Sequence, residues 1–185
     1  DVTLDDIYDN LKLLRADYTD QFIEGLKNAE LQAEAEVLVR GKAAELYDYA
    51  VKQGKKIAIV SDMYLPKEAI AGYLKQNGIS HIGFFLVSCE DHVSKASGTA
   101  FVALQEKFEG QKVLHIGDNY HDDIVMARRY GLSAVHIKNN IELMRDKGIV
   151  SRFKSVVERR LQVPEQTYLG QVTQSVVDGI VANYI

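Results

Sequence analysis

The sequence predicts an α/β fold, with a parallel sheet covered on both faces and helical regions before and after it. Three observations predict it. Four short, nearly unbroken apolar runs occupy the middle of the chain: IAIV at 57–60, FFLV at 84–87, KVLHI at 112–116 and AVHI at 134–137. Helical patterns at 67–76, 97–108 and 121–130 separate them. The flanks, 3–53 and 139–185, carry helical periodicity throughout. Strands buried on both faces read as continuous apolar stretches, and helices between them supply the crossovers of a parallel sheet.

The elements follow in order. Leu4, Ile7, Tyr8, Leu11 and Leu14 recur at helical spacing, with Thr3 placed to cap and Asp5 and Asp6 in the first turn, where carboxylates favour the helix dipole. A second helix carries Phe22, Ile23, Leu26, Ala33 and Val37, and a third Ala43, Leu46, Tyr47, Ala50 and Val51, with Gly54 as its stop. Pro66 suits a first helical turn, and Gly78, Gly110 and Gly131 suit helix ends. Ser151 is placed to cap a helix with Phe153, Val156, Val157 and Leu161. After Pro164, Leu169, Val172, Val176, Ile180 and Tyr184 make one apolar stripe, which faces its own domain or docks on a neighbouring one. The expected division is a helical region at 1–54, an α/β core at 55–150 and C-terminal helices at 151–185.

Composition narrows the function classes. A net charge of −4 offers no basic field for nucleic acid or an anionic membrane surface. No apolar run approaches a membrane span. One cysteine, Cys89, cannot build a disulfide framework, which predicts an intracellular, cytoplasmic protein.

Ligands of open parallel sheets bind beyond the carboxyl ends of the strands, so the residues there are the candidates. After the first run comes Ser61-Asp62-Met63-Tyr64-Leu65-Pro66, able to offer a hydroxyl and backbone N–H groups to an anion, or simply to form a turn. After the second, Lys95 precedes a helix start, where it would neutralise a phosphate or remain a solvated surface lysine. Cys89 reads as core and His92 as loop. After the third comes Gly117-Asp118-Asn119-Tyr120-His121-Asp122-Asp123. Three carboxylates within six residues repel one another unless a divalent cation relieves them, and oxygen donors suit Mg²⁺; helix capping by Asp118 is the competing explanation. His115 and His136, inside apolar runs, read as satisfied core histidines.

Together these loops resemble the haloacid dehalogenase superfamily of phosphohydrolases. IAIVSDMYLP is similar to its second motif, Lys95 in VSKASGTAF to its third, and HIGDNYHDDIVMARRYGL to its fourth. The wording is similar to a branch often found with bacterial glycosyltransferases of surface-polysaccharide assembly. The resemblance covers about residues 1–140. It implies that Ser61 binds the phosphoryl group and that Lys95 balances its charge. Asp62, Met63 and Asn119 would line the substrate site, and Asp118 with Asp123 would bind Mg²⁺, Asp122 being the alternative second acid. A small phosphorylated substrate, such as a sugar phosphate, and a neighbouring glycosyltransferase domain are the implied partners.

One departure is large. The family's first motif, an apolar strand ending in Asp-x-Asp-x-Thr, supplies the nucleophile, and no such strand precedes residue 55. Residues 1–53 look instead like the helical cap that the family inserts between its first two motifs. The absent strand is central in the family's sheet, between those at 57–60 and 112–116. The sheet must therefore leave a gap, pair those two strands directly, or borrow a strand. With Asp1 in place of an initiating Met, the expectation is a fragment of a longer phosphohydrolase. The alternative is a catalytically inactive module of the same fold that binds or scaffolds a partner.

Overall fold

The computed structural model describes residues 2–37 and 42–138. The readings for the C-terminal helices, from the Ser151 cap to the stripe ending at Tyr184, lie outside the described residues, as does Asp1. Residues 1–136 form one compact unit, and 137–185 belong to a second.

Helix α1 (Leu4–Leu14) begins as predicted. The Thr3 hydroxyl accepts the Asp6 N–H at 3.1 Å, and the Asp6 carboxylate accepts the Thr3 N–H at 2.9 Å, so two otherwise orphaned donors are satisfied reciprocally. Helices α2 (Asp20–Val37) and α3 (Lys42–Lys52) follow, and Gly54 ends the third. Then come β1 (Ala58–Ser61), α4 (Lys67–Gln76), β2 (Phe84–Val87), α5 (Ser88–Asp91), α6 (Thr99–Lys107) and β3 (Leu114–Gly117). A π-helical segment, Tyr120–Met126, runs into the single turn α7 (Ala127–Arg129), and β4 (Ser133–His136) ends the series. Pro66 stands at the N-cap of α4, one place before the first turn. The turn α5 was not expected, because four residues are too few to show a period.

The strands pair in parallel, but as two separate halves. β1 pairs with β2, Ala58 opposite Phe84 and Ser61 opposite Val87. β3 pairs with β4, Leu114 opposite Ser133 and Gly117 opposite His136. Among the described residues β1 and β3 share no ladder, so of the three outcomes open to the sheet the gap is the one found.

Two apolar cores flank the strands, and the second draws on both halves. The first joins Leu4 and Tyr8 of α1 to Leu65, to Ile70 and Tyr73 of α4, and to Val87 and Cys89, with Ile23, Leu26 and Leu31 of α2 packed on it. The second joins Phe101 and Leu104 of α6 to Ile124, Met126, Ala127, Leu132 and Ala134, with Ala58 and Val60 of β1 against it. On the other face of β3 and β4, Leu114, Ile116 and Val135 are exposed. Among the described residues no helix is long and apolar enough to cross a membrane.

Candidate active site

Alternate residues of β3 point to one face, so His115 and Gly117 lie on the same side. The π-helical segment that follows turns Asp123 back over them. A Cβ on Gly117 would stand 2.3 Å from the Asp123 carboxylate, so only glycine permits this approach. Asn119 caps the segment, its Oδ1 accepting the N–H groups of His121 and Asp122, both at 3.1 Å. The capping role considered for Asp118 therefore falls to its neighbour.

Asp123 is 2% exposed, and both of its carboxylate oxygens have partners. Its Oδ1 accepts the Lys95 ammonium at 2.7 Å and stands 2.9 Å from His115 Nε2, while Oδ2 accepts the Asn119 N–H at 2.9 Å. Burial pushes this carboxyl upward, but the His115 ring and the Lys95 ammonium outweigh burial and hold it well below the usual carboxylate range. Asp122 lies apart from this node, paired with the His121 ring at 2.7 Å and the Asn119 side chain at 2.9 Å.

Lys95 spans the two halves of the sheet. Its side chain is on Asp123, beyond β3, and its backbone N–H donates to the Asp62 carboxylate, just past β1, at 3.0 Å. The turn that presents it is closed by Ser94, whose N–H donates to Thr99 Oγ1 at 2.9 Å, and by Gly98 at φ +84°, where a side chain would collide with the Tyr130 ring. The loop after β1 is also tied to the end of β2. Met63 N–H donates to Ser88 Oγ at 3.0 Å, and Glu90 accepts the Lys67 N–H at 2.7 Å. The Met63 N–H is thus occupied rather than open to an anion.

The structure brings Asp62, Lys95, Asn119 and Asp123 into one connected network. Two predicted site groups stand open beside it. Among the described residues neither the Ser61 hydroxyl nor the Asp118 carboxylate has a hydrogen-bond partner, and Asp118 is exposed. Cys89 is buried, its thiol on the Leu65 carbonyl, and His92 is a left-handed loop residue, as read from sequence. Both strand histidines are satisfied, but by the site itself: His115 meets Asp123, and His136 Nε2 lies 2.9 Å from the Asp118 carbonyl oxygen. Their signal in the sequence was position, two residues before Gly117 on β3 and opposite Gly117 on β4.

Among the described residues no three His, Cys, Asp or Glu side chains are grouped to hold a metal ion. The donor set fits Mg²⁺ in part. An open, exposed carboxylate at a strand end suits an ion that keeps several waters, so Asp118 fits, whereas the oxygens of Asp123 are already committed.

Comparison with known proteins bears on the family and the fold. The haloacid dehalogenase-like hydrolase family matches residues 4–131, more than half of the chain. The crystal structure of a hydrolase from Streptococcus pneumoniae TIGR4 superposes with a TM-score of 0.50 at 19% identity, covering 75% of this chain and 72% of that one, a likeness of fold. No curated protein matches the chain.

Proposed function

We propose, from the premise that this chain belongs to the haloacid dehalogenase-like hydrolases, that its loops serve a Mg²⁺-dependent phosphohydrolase acting on a small phosphorylated molecule. The observation that carries this reading is Lys95, a cation whose backbone and side chain join Asp62, the residue after the open Ser61 hydroxyl, to Asp123, in the loop that also carries the open Asp118 carboxylate. A sugar phosphate is the substrate that the resemblance to the polysaccharide-associated branch favours.

Each residue then has a task. Ser61 donates its hydroxyl to a phosphoryl oxygen and orients the group. Lys95 balances the negative charge of the transferring phosphoryl, and Asp123 aims its ammonium. Asp118 holds Mg²⁺, which when bound neutralises phosphoryl charge. The nucleophile is a carboxylate on a strand seated in the gap between β1 and β3. It forms a bond to phosphorus as the phosphorus–oxygen bond to the substrate breaks and the second acid of the Asp-x-Asp pair protonates the leaving oxygen. Water, giving a proton back to that acid, then cleaves the aspartyl-phosphate to inorganic phosphate. The Leu4 N–H on the Tyr64 carbonyl, at 2.8 Å, brings the start of α1 to the loop after β1, so a strand leading into α1 would arrive beside the gap.

The test is Mg²⁺-dependent hydrolysis of an aryl phosphate by the chain alone and with an apolar strand ending in Asp-x-Asp-x-Thr placed before it. Turnover should require the added strand and fall about 100-fold or more in Asp118→Asn, the scale of losing a transition-state charge partner. Unchanged turnover in Asp118→Asn would remove the metal role. Turnover by the chain alone would place the nucleophile within residues 1–185. Phosphate binding without turnover in the extended protein would favour the non-catalytic module instead.

A further inference from the structure

The loop after β1 has a second set of anchors, from a part of the chain far away in sequence. Tyr64 lies in the middle of that loop, and its hydroxyl donates to Glu30 Oε1 of α2 at 2.8 Å. The other oxygen of the same carboxylate accepts the Tyr8 hydroxyl of α1 at 2.6 Å. One partly buried acid therefore joins α1, α2 and the loop. The hydrogen bond to Glu30 and burial push the Tyr64 phenol up to about 12, and burial and the same acid push Tyr8 up to about 12, so both remain donors at any ordinary pH. The loop is then fixed residue by residue: Asp62 by Lys95, Met63 by Ser88, Tyr64 by Glu30 and by the Leu4 N–H, and Leu65 by burial.

We infer that Glu30 is a positioning residue for the Ser61–Pro66 loop, acting through Tyr64. Bonds to a charged acceptor are the stronger kind of hydrogen bond, and a carboxylate that receives two phenols locks both rings in one orientation. Helices α1 and α2 thus form a fixed buttress under the loop: Leu4 and Tyr8 share a core with Leu65, and residues of α2 pack on it. The consequence for phosphate rests on the reading of that loop as a phosphoryl site.

The molecule supplies its own control. Tyr73 also ties its hydroxyl to α2, at the Leu31 carbonyl, 2.8 Å away, but it lies on α4 and meets the loop only through apolar packing on Leu65, with no hydrogen bond to it. Amide hydrogen exchange is measured in the full chain for Glu30→Gln, Tyr64→Phe and Tyr73→Phe. Exchange at the Met63 amide, held by Ser88, and at the Leu4 amide, held by the Tyr64 carbonyl, should rise about tenfold in the first two, the scale of losing one hydrogen bond to a charged group, and the double variant should add little. Tyr73→Phe should leave those rates within about twofold. Unchanged loop rates in Glu30→Gln would overturn the inference. So would an equal rise in Tyr73→Phe, or a rise spread evenly to β3 and β4, since either would mean general loosening. Binding of inorganic phosphate with Mg²⁺ present separates the two readings. If Ser61→Ala leaves phosphate affinity unchanged, the phosphoryl reading fails, while the role of Glu30 still stands or falls on the exchange rates.

Discussion

The two halves of the sheet are held in different ways. The β1–β2 half rests on apolar packing: Leu4, Leu65 and Val87 are each at most 1% exposed, and helices α1, α2 and α4 all contribute to its core. The β3–β4 half has one packed face and one face with Leu114, Ile116 and Val135 exposed, and its carboxyl-terminal end is organised around a single buried carboxylate, Asp123. The difference teaches where precision comes from. The first half positions a loop by supporting it from below. The second positions a side chain by drawing a cation, an imidazole and a backbone N–H onto one acid.

The largest test of that contrast is Asp123→Ala. It strands the Lys95 ammonium, itself mostly buried, without its partner, and loss of one member of a buried pair costs about 3–5 kcal/mol. Urea denaturation should show such a loss; a change under about 1 kcal/mol would mean that the second half is not built on this node. In the first half, Leu65→Ala should cost about 2–5 kcal/mol, the range for a fully buried leucine, and should leave the Lys95–Asp123 pair intact by NMR.

Acid should separate the halves more gently. Because the Asp123 carboxyl is held below its ordinary value of 3.8, its stabilising effect is complete above that pH and is lost as pH falls toward the lower folded value. Stability should therefore decline below about pH 4, less steeply in Asp123→Asn, with a parallel decline in both proteins as the contrary result. The smallest effect belongs to the open face. Leu114 is 55% exposed, so Leu114→Ser should shift stability by no more than about 0.5 kcal/mol. A loss near 2 kcal/mol would show that this face is covered in solution.

Much of this was legible in the chain. The four strands announced themselves as apolar runs, and Ser61, Lys95 and Asp118 stood out as polar residues at their carboxyl ends. What escaped reading depends on contacts between distant residues. Glu30 and Tyr64 are 34 positions apart, and nothing local to either names the other. His115 looked like core because its run is apolar. Its role appears only when the chain beyond β3 returns Asp123 over Gly117. The π winding of Tyr120–Met126 likewise has no periodic signature, since seven residues are too few to tell one helical pitch from another. The choice of Asp123 over Asp122 as the partner of Lys95 rests on that winding.

The same division has a consequence for how the protein forms. Each parallel pair is closed by a short crossover, one within residues 58–87 and the other within 114–136, so neither ladder waits for chain from far away. Closing a shorter loop costs less entropy than closing a longer one, so each pair can form ahead of the join between them. Lys95 can bind both Asp62 and Asp123 only after both have formed. Refolding should therefore show secondary structure ahead of the join, with the candidate site assembled last.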